Sequence, residues 1–231
     1  DALTACTEAV DQNSAAQKAL AKALADAKSA QSITADQVAD GATIDTLKKA
    51  IAAVKNVEAV ECKTSASTSD LKEYAKTATS QTKTAKKNAT AITAAAKAVT
   101  DSKNAKDQAN AQQALQSKIA EAQTLLDNSL YAVDDNSTRV TLESDIANAN
   151  TVLSQQGTDV KAMQDAVNTL TASMDAVNTS MANYSAAVEA QREAARQKAL
   201  NDYYARLRQQ QLLQQQQQTQ PDGTDDQETK P

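Results

Sequence analysis

Two cysteines, a few adjacent carboxylates, five tyrosines and three methionines are the side chains here whose chemistry goes beyond packing, and histidine is absent. Without imidazole there is no Ser-His-Asp or Cys-His nucleophile system, no proton shuttle near neutral pH and no His-ligated zinc or haem. Cys6 and Cys62 have no CxxC partner and no ligand-type neighbour. An even, widely spaced pair of this kind reads as a disulfide, the alternative being two buried free thiols in a cytosolic helix pair. Asp134-Asp135 and Asp225-Asp226 fall in polar breaks where nothing buries a carboxylate or sets it apart from its neighbour, so they read as solvated loop residues. Asp134-Asp135-Asn136-Ser137 also lacks the alternating oxygen ligands and the glycine of a calcium loop. Each Gly is isolated, so no phosphate cradle forms. No catalytic residue, cofactor or metal is expected, and the chain reads as a non-enzyme.

The elements that must position these residues are helices. Three Gly and two Pro in 231 residues leave few turns, and the apolar fraction of 41 % is largely Ala, which favours helix and buries little surface. The fold class is therefore all-α, built as thin bundles closed by small side chains. Leu3, Cys6, Val10, Leu20, Leu24 and Ala27 mark a helix from about Leu3 to Gln31. Thr34 and Gln37 have capping-box spacing, Gly41 permits a bend, and Ile44, Leu47, Ile51 and Val54 carry a second helix back to about Cys62. A hairpin turning near Thr34 sets the two sulfurs level, and closing that loop is worth roughly 4 kcal/mol in the chain-entropy account.

From Asp70 there is neither Gly nor Pro until Gly157, and a helical stripe runs from Leu71 through Ile92 and Val99 to Leu115 and Leu126. A third helix to about Asn128 is predicted, roughly 85 Å long at 1.5 Å per residue. After the break at Asp134–Ser137 a fourth helix carries Leu142, Ile146 and Val152 toward Gly157. A fifth holds the clearest heptad: Val160, Met163, Val167, Leu170, Met174, Val177, Met181, Tyr184 and Val188. Its methionines sit on the seam and read as core filling.

A shift of 95 residues, applied without gaps, lays Leu20 on Leu115, Leu24 on Ile119, Ala27 on Ala122, Leu47 on Leu142, Ile51 on Ile146 and Val57 on Val152, with Asp40 on Asp135. This predicts two antiparallel three-helix bundles in tandem sharing one long helix, a rod with residues 1–100 as the first bundle and 101–190 as the second. Residues 191–213 read as a protruding helix, and Leu200, Tyr203, Tyr204 and Leu207, interleaved with Arg192, Arg196, Arg206 and Arg208, as a partner-binding face and a candidate surface for self-association. Residues 214–231 are Gln-rich and then acidic, a composition expected to be a disordered tether. The net charge of −5 and the scarcity of aromatics argue against nucleic acid, and the Lys-rich stretch 72–106 reads as a solvated helix face. No apolar run is long enough to span a bilayer.

The run Leu115-Gln-Ser-Lys-Ile-Ala-Glu-Ala-Gln-Thr-Leu-Leu, then Tyr131, Leu142-x-x-x-Ile146 and the heptad from Val160 resembles the FIVAR-type three-helix repeats of Gram-positive bacterial cell-surface proteins. The family's Trp near the second helix is missing, and Cys6 and Cys62 are not among its usual features. The resemblance implies a secreted or wall-attached stalk or adhesin whose partner is a protein or glycan at the cell surface, and it supplies no catalytic residues. A chain starting at Asp1 instead of Met fits a mature extracellular product of a signal-peptide precursor. Readings of another class are a membrane-active, colicin-like helical toxin and an intracellular coiled-coil scaffold or chaperone.

Overall fold

The structure, a computed structural model, describes residues 1–155, 157 and 159–218. The described residues form helices and the segments that connect them: α1 (Ala2–Asp26), α2 (Lys28–Gln31), α3 (Ala42–Ala52), α4 (Thr68–Asn128), α5 (Ser137–Ser154) and α6 (Val160–Gln218), with a 3-10 turn at Ala35–Gln37. Asp1 caps α1 by accepting the Leu3 N–H, and α1 passes into α2 at Ala27 with the helical hydrogen bonds continuing on either side. The many threonines of α4, poor helix formers when their hydroxyls compete with the backbone, turn those hydroxyls onto carbonyls four residues back, as Thr79, Thr82, Thr84, Thr100 and Thr124 all do. The last helix continues through Gln218, as an unbranched residue of good helix propensity allows. Thr219–Pro231, most of the expected tether, lies outside the described residues.

Contacts divide the chain into two compact units, Asp1–Ser117 with Val152–Asp165, and Lys118–Thr151 with Ala166–Pro231. Helix α4 contributes to both. In the first unit the core is drawn from α1, α2, α3 and the first half of α4: Leu20, Val38, Ile44, Leu47, Ile92 and Val99 interleave with six buried alanines. In the second, Ala122, Leu142, Ile146, Ala149, Leu170 and Val177 are buried. Thr34 does use Gln37, its N–H donating to the Gln37 side chain at 3.0 Å, but the pair closes the 3-10 turn and not a long helix.

The two units anchor their turns in the same way. In the first, the Ala39 and Asp40 N–H groups donate to the Ser102 carbonyl (3.0 Å) and Oγ (2.8 Å). In the second, the Asp134 and Asp135 N–H groups donate to the Ser180 carbonyl (3.2 Å) and Oγ (2.8 Å). Each Asp then caps the helix it precedes: Oδ1 accepts from Ala42 at 2.9 Å in one case and from Ser137 at 2.8 Å in the other. The aspartates follow the 95-residue shift and the serines do not, since Asp40 and Ser102 are 62 residues apart, and Asp135 and Ser180 only 45. The surplus lies between α3 and α4.

That surplus carries the main departure from the expected fold. Cys6 and Cys62 are joined, Cα–Cα 5.9 Å, as the sequence indicates. The second helix, however, stops at Ala52, and no helix covers residues 53–62. The reason is axial distance. Ile51 lines one small cavity with Ala30 and Gln31, at the far end of the α1–α2 run, while Cys62 must reach Cys6 near its start. Some 24 helical residues separate those levels, about 36 Å. The chain from Ile51 to Cys62 covers about 36 Å only when extended, and about 16 Å as a helix. The turn at 32–41 overshoots the end of α2 to dock on Ser102, so the returning helix starts too far back to meet Cys6.

Candidate binding surfaces

The structure places the six site residues singled out from the sequence in two regions. Cys6, fully buried on α1, and Cys62, half-buried, form the disulfide of the first unit. Leu200, Tyr203, Tyr204 and Leu207 all lie on the last part of α6, where every residue from Glu189 to Gln218 is exposed. The Tyr203 and Tyr204 rings meet edge to face, centroids 5.7 Å apart. Leu212 and Leu213 are exposed as well, on the opposite side of the helix. Toward the start of this stretch the charges neutralise one another, Glu189 with Arg192 and Arg196, and Glu193 with Arg196. Arg206 and Arg208, beside the tyrosines, make no ion pair among the described residues.

A second surface, in the same unit as the end of α6, escapes sequence reasoning in its geometry. Helix α4 ends against Arg139 of α5, whose guanidinium donates to the Leu126 carbonyl (3.1 Å), the Ser129 hydroxyl (3.0 Å) and the Asn136 side chain (3.2 Å). A cation on the terminal carbonyls satisfies groups a helix end leaves open. The chain then turns outward through Leu130 and Tyr131, and Tyr131, 86 % exposed, adopts φ +61°. This is the left-handed conformation that glycine usually supplies after a helix, and for a bulky residue it is strained. Nothing in the composition marks it beyond the presence of a Tyr in a loop.

Replacing Tyr131 with Gly is expected to raise stability by up to about 1 kcal/mol, because it relieves the left-handed strain and forfeits almost no burial. Thermal unfolding followed by far-UV circular dichroism measures this, and a drop of similar size would mean the ring holds the turn together.

Asp134 and Asp135 lie in the exposed turn before α5, and Asp225 and Asp226 lie outside the described residues. The Ser137 hydroxyl and N–H hold Asp135 below the ordinary carboxylate value. The Thr34 side chain does the same for Asp36. Lysines of α4 pair along their own helix, as Lys97 with Asp101 and Lys103 with Asp107. Among the described residues no three His, Cys, Asp or Glu side chains converge on a metal position, and no helix is long and apolar enough to cross a membrane. No family model, curated protein or solved structure matches the chain.

Proposed function

We propose that the protein is a non-enzymatic helical module of a secreted or cell-surface protein, a stalk or adhesin that binds a protein or glycan partner through the end of α6. The observation that carries this reading is an apolar and aromatic face left in solvent: Leu200, Tyr203, Tyr204 and Leu207, accompanied by Arg206 and Arg208, which make no ion pair among the described residues. Tyr, Arg and large aliphatic side chains are the types that dominate binding energy at protein interfaces. Among the described residues no other element covers the stretch, so these side chains are not part of a core. The disulfide supports an oxidising compartment, where such bonds persist.

The test is capture of host extracellular proteins, glycans and bacterial surface extract on the immobilised oxidised protein, beside a variant carrying Leu200→Ser, Tyr203→Ser, Tyr204→Ser and Leu207→Ser. The expected result is a saturable ligand whose affinity falls at least tenfold in the variant while its helix content is unchanged. Equal capture by both proteins, or no capture by either, overturns the assignment of this face and leaves a passive spacer.

A further inference from the structure

Residues 53–62 are held where they are by one covalent bond and very little else. Among the described residues the backbone from Lys55 to Cys62 makes no hydrogen bond to other backbone, and its single polar tie is the Glu58 carbonyl accepting from the Gln81 side chain at 3.0 Å. Gln81 is itself fixed by Asn13 of α1, whose side-chain amide donates to it at 2.6 Å. Packing is loose as well. An open furrow of about 780 Å³ runs between α1 and this segment, lined by Val10, Leu20 and Leu24 on one side and Val54, Val57 and Val60 on the other. Val57 is 43 % exposed.

The sequence of the segment prefers something else. Ile51, Val54 and Val57 continue the helical spacing of Ile44 and Leu47, and no Gly or Pro interrupts them. The other repeat displays that alternative: α5 runs 18 residues where α3 runs 11, and its Ala149 and Val152, the counterparts of Val54 and Val57 at the 95-residue shift, are buried and half-buried within the helix. The first unit therefore holds extended a stretch that its duplicate winds up. The bond and the helix exclude each other, because a helical 52–62 falls about 20 Å short of Cys6.

We propose that residues 53–62 are a redox-controlled strap: with the Cys6–Cys62 bond intact they lie extended along α1, and on reduction they rewind onto the end of α3 and leave open the face of α1 that lines the furrow. The reductant is a dithiol. One of its thiolates attacks Sγ of Cys62, the more exposed of the two residues, and Cys6 leaves as a thiolate that takes a proton from water. The second thiol of the reductant then closes on the mixed disulfide and releases Cys62 as a thiol. Two electrons enter the protein and the dithiol departs as its own disulfide.

Rewinding makes an outcome opposite to simple loosening. Hydrogen exchange on the full chain, oxidised and dithiol-reduced, is expected to show the amides of residues 55–61 slowed at least tenfold by reduction, with cleavage after Lys55 by trypsin slowed in parallel. A Cys6→Ser, Cys62→Ser double variant should reproduce the reduced pattern without reductant. Adding Val57→Pro to that variant should abolish the protection and leave exchange in α5 and α6 unchanged, since proline blocks the helix. Exchange at 55–61 that is equal or faster after reduction, protection that survives Val57→Pro, or loss of the first unit's protection as a whole would each overturn the strap.

Discussion

Truncating Ile92 to Ala is expected to cost about 3 to 4 kcal/mol, near the upper half of what such core deletions cost elsewhere. Ile92 is fully buried at the centre of the first unit, in a core where six of the twelve buried residues are alanines. Each large side chain consequently fills a greater share of the interior than it would in an ordinary domain, and alanine neighbours have no spare methylenes with which to close the gap. Urea unfolding followed by far-UV circular dichroism should show a lower midpoint with an unchanged slope. A loss below about 1 kcal/mol would mean that the helices collapse onto the cavity and that close packing at this level is not what holds them.

The opposite change, at a position where small size is the point, is expected to cost nearly as much. Ala122 is fully buried on α4 in the second unit, at the position Ala27 holds in the first. Leucine there brings apolar surface that would stabilise if there were room for it. With none, α4 must move from its partners or the side chain must leave its rotamer, and about 1 to 3 kcal/mol is lost. Stability equal to or above that of the parent chain would show that the alanine seam is spacious, and would remove the case for close helix approach in that unit.

Both sites were legible in advance because helical period and residue size are local properties. The heptad from Val160 gives the same lesson: Met163, Leu170 and Val177 are buried, with Val167, Met174 and Met181 half-covered between them. The disulfide was legible too, from the count and isolation of two cysteines, but the route by which the chain reaches it was not. Residues 53–62 stretch because the bond to Cys6 must be reached from a turn at 32–41 that docks on Ser102, 62 residues beyond the Asp40 it holds. A single shift of 95 residues hides this serine, because the duplicated third helices correspond at a different offset from the first two, with Thr93-Ala94, Ala98-Val99 and Ser102 matching Thr171-Ala172, Ala176-Val177 and Ser180. Of the surfaces, the α6 face could be read from its Leu and Tyr spacing, since exposure follows from running past the last buried layer. The left-handed Tyr131 could not, since a backbone angle imposed by how α4 and α5 meet leaves no trace in residue type.

All five tyrosines, Tyr74, Tyr131, Tyr184, Tyr203 and Tyr204, are exposed, and the chain has neither Trp nor Phe. Every aromatic chromophore of the molecule thus stands outside its packed interior, and the Cys6–Cys62 bond is the near-ultraviolet absorber that reaches into it. The aromatic part of the native near-ultraviolet dichroism will be weak, leaving the broad band of the disulfide, and intrinsic fluorescence will change little on unfolding, even though the core is ordered. By the optical criteria used to recognise molten globules, strong far-ultraviolet and faint near-ultraviolet signals, this protein would be misread as one while fully folded. Cooperative loss of the far-ultraviolet signal and the slow amides of its buried seams are the observables that distinguish it.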